Sequence, residues 1–494
     1  MNLRYRSLLQ IMMAAAFITG CFVLAPFIYA AALHDMNSAA GFITVAVICF
    51  PVSAYCRYLL NHSEKQKKKL EIKNGFLIVS LGFLGLVLIS SFPYLLSGAS
   101  LNFFDSWFES ASGWTTTGSF SRSVSALSRP LLLWKAETCW LGGMGLVFLT
   151  TLIFPKLGIN DQQLEHGCLS VSSRRKAMGF RSNRFLQTAV IAYLLFTVIG
   201  FFTLLIGGFP VFYAVINAMT GLSTSGILDP TAGGIFHQMP LFGQIVMAAL
   251  SLLGSVNCVF FAGIFRKDRR NDAVAFETVF FLFLILITSA INIIYCSLSD
   301  TFSLTPKNIW KVFYLSVSFS TTSGFCIPGL VNVPSFVRFV LILLCIIGGC
   351  SYSQAGGIKI ERSVIGFKIM IRGVYKCIHP EAIKPVLVHR HPISASRASS
   401  IAVYLFLFFG TFIMGFIFLS IDGNTLETTL CTSFAALSNT GISFGAISSN
   451  SYACYSAFGK IIASLLMIAG RLEIYPILFL FSRSFWNPRR SINK

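Results

Sequence analysis

Four short strings of small polar residues carry the residue types and spacing in this 494-residue chain that could do chemistry. They are Thr115-Thr116-Thr117-Gly118, Ser223-Thr224-Ser225-Gly226, Thr321-Thr322-Ser323-Gly324 and Ser438-Asn439-Thr440-Gly441. The glycines at 118, 226, 324 and 441 are 108, 98 and 117 residues apart. One such string has ordinary loop composition. Four of them at a matching step of the chain make a repeat. Small neutral residues ending in glycine leave backbone carbonyls uncovered, and glycine admits the dihedrals that turn them to one side. Rings of such hard oxygens suit a dehydrated alkali cation and not a soft metal. The glycine recurs while the residues before it change, so backbone oxygens rank above side chains as ligands. The hydroxyls of Thr117, Thr224, Thr322 and Thr440 either add ligands or pin the loops.

A short segment precedes each string: Leu101–Trp114, Pro210–Leu222, Pro306–Ser320 and Asn424–Leu437. All are too short to cross a bilayer and read as re-entrant helices. Ser100 or Asn102 caps the first, Pro210 and Pro306 suit a first turn, and Thr305 caps the third. Asn424 with Glu427 resembles a capping box for the fourth. All four C-termini then face the strings, and their partial negative charge favours a cation between them.

Longer apolar runs flank these segments. The chain is 55% hydrophobic and 11% charged, with mean hydropathy +0.74, which is the composition of a polytopic membrane protein. Ten runs read as spans: 8–33, 39–60, 75–97, 131–155, 186–207, 239–265, 274–297, 334–350, 399–420 and 458–482. The first is too long, and too closely followed by a second, to be a cleaved signal. The fold class this predicts is an all-α polytopic membrane protein. An N-terminal two-helix hairpin (1–73) precedes four pseudo-symmetric helix–pore helix–loop–helix repeats (74–160, 161–270, 271–385 and 386–494) around a central pore.

The net charge of +20 is distributed by side. Lys and Arg gather at Arg4 and Arg6, Lys65–Lys73, Arg174–Arg184, Arg266–Arg270, Lys359–Arg397 and Arg483–Lys494, while 207–238 and 421–457 hold none. This positive-inside pattern puts both termini in the cytoplasm and the basic loops against anionic lipid. No aromatic-interleaved basic module speaks for nucleic acid. The 13 cysteines lack a CxxC pair, which argues against a disulfide framework or a metal cluster. No HExxH or GxSxG motif supports a membrane enzyme. An alternating-access carrier of a small solute remains the alternative, although such folds usually show inverted repeats and intramembrane acids.

Two further features stand inside apolar sequence. The glycine-rich stretch Gly348–Gly357 interrupts the inward span of the third repeat, and a polar helix, Ile358–Lys376, follows it. Arg471 sits in the last span, where a charge is costly and usually functional. It either pairs with Glu473, snorkels, or works on the pore. Lys359 and Arg362 are expected at the cytoplasmic edge. Glu137 is expected to pair with Lys135 or with the loop backbone. Asp105 and Glu109 either concentrate cations at the outer mouth or serve as helix caps and surface charges. His389 and His391 read as solvated.

Through Ser112–Ser119, Trp140–Gly145, the four Gly-ended strings, Gly348–Arg362 and Gly470–Glu473, the chain resembles the Trk/Ktr/HKT superfamily of potassium transporters, TrkH branch, over nearly its whole length. The resemblance implies that the four strings form a selectivity filter. Glycine in all four, Gly118 included, implies K⁺ preference, whereas a serine at the first marks a Na⁺-favouring variant. It implies that the stretch containing Gly349, Gly356 and Gly357 is an intramembrane gate under the filter, with Arg471 facing the permeation path beside it. The family usually has small residues where Tyr352 and Gln354 stand. The resemblance also implies a homodimer, a cytosolic nucleotide-binding regulatory subunit of the TrkA/KtrA type, K⁺ as the transported ion and no cofactor.

Overall fold

Each repeat is built from an outer helix, a short buried helix and an inner helix. The computed structural model describes residues 3–62, 72–97, 101–122, 127–148, 182–226, 240–257, 272–299, 305–325, 333–381, 385–388, 391–441, 444 and 451–481. Most of the basic connector after His62, the basic clusters around 174–181 and 266–270, His389 and the tail from 483 lie outside them.

The hairpin is formed by helices Leu3–Phe22, Leu24–Ala32 and Met36–Asn61. Its turn is closed by Asp35, whose carboxylate accepts the Ser38 N–H at 3.1 Å. The outer helices are Ile72–Leu96, Ser182–Ile206, Asp272–Leu298 and Ala395–Ser420. Among the described residues, the hairpin and these four helices supply the six helices long and apolar enough to cross a membrane. Large apolar side chains such as Ile206, Leu298 and Phe406 stay exposed along them, as a lipid-facing surface requires.

The short helices run Phe103–Trp114, Val211–Leu222, Pro306–Ser320 and Leu426–Leu437, within two residues of the bounds read from sequence. Thr305 caps the third, accepting Asn308 N–H at 3.3 Å. The fourth is capped by Thr425 and not by Asn424, whose amide instead donates to Cys454 O at 3.4 Å. Pro210 precedes the first turn of its helix as the cap residue.

The inner helices correct the ten-span reading. They run Arg129–Phe148, Leu241–Ser255, Ser335–Ile347 and Ala457–Arg471, and the last three stop early. Val256 turns extended, Gly348 takes φ 70, and Leu472 is followed by Glu473 and Ile474 with φ 60 and 65. The break at Gly348 is the one its glycine-rich stretch announces, whereas apolar sequence continues past the other two and hydropathy alone does not reveal them. Broken backbone at membrane depth is tolerated because it is buried in protein.

The repeats close on one another. Ser80 of the first outer helix donates to Pro476 O in the last described helix at 2.6 Å. The hairpin leans on the first repeat through the edge-on Phe42–Trp134 pair and on the second through stacked Tyr29 and Phe212. After the polar helix, Leu387–Val388 pairs antiparallel with His391–Pro392, a two-stranded element not foreseen from sequence.

Candidate cation-conduction site

All four short helices end in the same way. The N–H of the second string residue returns to the helix carbonyl three back: Thr116 to Gly113, Thr224 to Gly221, Thr322 to Phe319 and Asn439 to Ala436. The N–H of the third returns five back: Thr117 to Ser112, Ser225 to Thr220, Ser323 to Ser318 and Thr440 to Ala435, at 2.9–3.0 Å. Together these bonds make a Schellman cap, which needs a left-handed residue at its second position and usually uses glycine there. Here that residue is Thr116, Thr224, Thr322 or Asn439, with φ 59, 55, 52 and 56. A side chain in that conformation costs about 1–2 kcal/mol, so the two cap bonds hold strain at each loop.

The sign of φ then alternates along each string. It is −87, −76, −79 and −85 at Thr115, Ser223, Thr321 and Ser438, positive at the second position and negative at the third. It is positive again at Gly118, Gly226, Gly324 and Gly441. Alternation of this kind turns successive carbonyls to the same side, which gives the ladder of oxygens a bare cation needs. The carbonyls of Thr116, Thr224, Thr322 and Asn439 accept no hydrogen bond among the described residues.

Hydroxyls at the first and third positions bond to each other in every loop. The pairs are Thr115–Thr117 at 2.8 Å, Ser223–Ser225 at 3.1 Å, Thr321–Ser323 at 3.0 Å and Ser438–Thr440 at 2.9 Å. The Thr117 and Thr440 hydroxyls thus pin their own loops, and Thr117 Oγ1 also accepts from Asn439 Nδ2 of the fourth loop at 3.3 Å. The Thr322 hydroxyl accepts from Gly356 N–H, and the Thr224 hydroxyl is buried without a partner. Cys345, which sequence composition marks only as a small apolar residue, reaches both Ser438 and Thr440 hydroxyls at 2.7 and 2.8 Å.

The loops sit edge to edge. A Cβ on Gly226 would collide with the Ser323 carbonyl, and one on Gly441 with the Thr117 carbonyl. Inner-helix glycines pack equally closely under the short helices: Gly142 on Trp114 O, Gly254 on Leu222 O and Gly470 on Leu437 O.

The glycine-rich stretch folds back directly beneath the loops. Its neck is closed by Ile358 N–H to Ile346 O and Lys359 N–H to Ile347 O, both at 2.9 Å. Gly348 and Gly357 touch across that neck with no room for a Cβ. Gly349 lies against Ala355 and Ser255. Gly356 donates to the Thr322 hydroxyl at 2.7 Å and abuts the Ser438 carbonyl. Tyr352 and Gln354 are both buried, and the Gln354 amide lies 3.8 Å from Met144 Sδ.

Arg471 is buried against this loop. Its Nη1 donates to Gln354 O at 2.7 Å, and its Nη2 to Gly142 O and Gly143 O at 2.6 and 3.0 Å. One guanidinium thus ties the fourth inner helix and the glycine-rich loop to the first inner helix. It makes no pair with Glu473, which takes Arg362 at 2.7 Å instead.

Several charges stand elsewhere than the sequence suggests. Lys359 and Arg362 are buried, because the glycine-rich loop folds them into the protein. Lys359 donates to the Ala355 carbonyl, and Arg362 stacks on Tyr404. Asp105 and Glu109 are buried and paired, so neither is a surface charge. Asp105 meets Lys460 at 2.7 Å and Arg122 at 2.9 Å, whereas Glu109 meets Lys135 and the Ser121 N–H. Lys135 is therefore not the partner of Glu137, whose Oε2 is buried with no partner among the described residues.

Known proteins share the sequence family and the fold. A family model for TrkH, a cation transport protein, matches residues 41–488. The Trk system potassium uptake protein TrkG of Escherichia coli (strain K12) is 27% identical over 473 residues, 94% of this chain and 95% of its own. The Trk system potassium uptake protein TrkH of Halomonas elongata is 28% identical over 432 residues, 85% of this chain and 87% of its own. The crystal structure of the potassium transporter TrkH from Vibrio parahaemolyticus matches with TM-score 0.84 at 21% identity, covering 98% of this chain and all of that one. At that identity the structural likeness speaks for the fold, while the family match over nine-tenths of the chain speaks for descent. This chain is an integral membrane protein of the TrkH family of cation transport proteins.

Proposed function

We propose that the chain carries K⁺ into the cell across the cytoplasmic membrane through a filter built from the four strings. The observation that carries this reading is the fourfold recurrence of one backbone device: a strained cap, a hydroxyl pair, and a glycine with positive φ, which at Gly226 and Gly441 leaves no space against the neighbouring loop. It sets carbonyl oxygens in register around one axis, the ligand set of a weakly hydrated alkali cation. The naming of the relatives as potassium uptake proteins supports K⁺ over Na⁺.

In the same reading the repeats divide at about residues 73, 160, 270 and 385 as the sequence suggests, and both termini are cytoplasmic. The loop containing Gly349, Gly356 and Gly357 is the gate, and Arg471 holds it closed. The chain works as a homodimer with a cytosolic nucleotide-binding partner on its basic face. No catalytic step is involved.

Uptake of radioactive rubidium by proteoliposomes holding the purified chain tests this. Uptake that excess K⁺ suppresses and equal Na⁺ leaves intact is expected. Equal suppression by Na⁺ would point to a Na⁺-permeable transporter of the same fold. Saturable exchange of an organic solute without rubidium flux would favour an alternating-access carrier.

A further inference from the structure

The first repeat carries a buried charge where the second and fourth carry none. Gly142, Gly254 and Gly470 pack alike under their short helices, which puts their inner helices in one register. Seven residues before them stand Lys135, Met247 and Ala463, all fully buried. Of these three places, only the one in the first repeat holds an ammonium.

Lys135 donates to the Glu109 carboxylate and to the Ser119 carbonyl, the first carbonyl beyond Gly118, and its ammonium lies 3.8 Å above the Phe120 ring. Glu109 in turn accepts from Ser121 N–H at 2.6 Å and its hydroxyl at 2.8 Å. Ser112 Oγ adds a second donor to Ser119 O at 2.8 Å. The Ser119 hydroxyl then donates to Gly441 O of the neighbouring fourth loop at 3.0 Å. The third loop has the same serine donor, from Ser318 to Phe325 O at 2.6 Å.

A buried ion pair seldom stabilises a fold more than well-packed apolar side chains of the same volume do. Met247 and Ala463 fill the equivalent places without one. The Lys135–Glu109 pair is better explained by what it aims. It holds the Ser119 carbonyl, while the hydroxyl of the same residue donates to Gly441 O.

We propose, on the filter reading given above, that Lys135 is a positioning residue for ion selectivity. It fixes the segment after Gly118 and, through Ser119, the Gly441 carbonyl of the fourth loop. The filter then owes its discrimination to one asymmetric clamp as well as to four similar loops.

The test uses the full chain in planar bilayers, reading the Na⁺/K⁺ permeability ratio from reversal potentials. The double variant Lys135→Met/Glu109→Gln removes the clamp without leaving an unpaired charge. Ser119→Ala removes only the link to Gly441. Each is expected to raise the ratio by about fivefold or more, the effect of one lost hydrogen bond at the site. A purely structural role would instead lower the unfolding temperature and leave the ratio alone. Ratios unchanged from wild type in both variants overturn the proposal, and Ser119→Ala decides alone if the double variant does not fold. A wild type passing Na⁺ as readily as K⁺ refutes the potassium reading and leaves the clamp to be judged on the change in ratio.

Discussion

On the gate reading proposed above, Arg471→Ala is the perturbation with the largest consequence. The side chain makes three hydrogen bonds to carbonyls of Gln354, Gly142 and Gly143 in a dry setting. Bonds from a charged donor contribute about 1.5–3 kcal/mol each, or roughly 5–9 kcal/mol for three. Desolvating the guanidinium costs several kcal/mol in return. A net bias of about 2–3 kcal/mol toward the closed loop remains, a factor of roughly 30–150 in the closed-to-open ratio. If about 1% of channels are open at rest, the variant is expected to open roughly 20–60% of the time. The assay is K⁺ flux into proteoliposomes without any regulatory partner, at matched protein content and with folding checked by thermal unfolding. A folded Arg471→Ala protein with wild-type leak would falsify the latch. The Arg471→Lys protein, which keeps the charge but loses the forked geometry, is expected to leak to an intermediate degree.

Other substitutions test separate contacts. Gly441→Ala puts a methyl onto the Thr117 carbonyl at φ 79, and its left-handed strain alone amounts to about 1–2 kcal/mol. At least a tenfold loss of K⁺ flux is expected, and rubidium uptake equal to wild type contradicts it. Thr322→Val strips the acceptor from the buried Gly356 N–H, an unmet donor costing about 1–3 kcal/mol. The loop should loosen from the filter and basal flux should rise, with unchanged flux counting against that contact. Glu473→Gln leaves Arg362 buried without its counter-charge, at about 3–5 kcal/mol. A clear drop in unfolding temperature is expected, and an unshifted transition denies the pair its role.

The short helices and their loops were legible in the sequence because their signals are local. A proline, threonine or asparagine opens each short segment, and a hydroxyl–x–hydroxyl–Gly string closes it. That pattern also held the hydroxyl pairs in plain view, since Thr115/Thr117, Ser223/Ser225, Thr321/Ser323 and Ser438/Thr440 never lose both oxygens. The left-handed Thr116, Thr224 and Thr322 were not legible, because β-branched residues avoid that conformation unless neighbouring bonds enforce it. The ion pairs were hidden for another reason. Asp105 finds Lys460 355 residues away, and Arg362 finds Glu473 111 residues away, so sequence neighbours such as Arg471 or Lys135 are the wrong guide. The break after Ile347 was announced by the glycines that follow it, whereas hydropathy missed those after Ser255 and Arg471, since a broken helix packed in protein needs no polar run to mark it.

Reversal potential tests the central claim most directly. With the purified chain in a planar bilayer, a tenfold K⁺ gradient at symmetric Na⁺ should move the zero-current voltage by about 59 mV, and a Na⁺ gradient should move it little. A voltage that follows Na⁺, or one that stays at zero under the K⁺ gradient, contradicts a potassium-selective filter in these four loops.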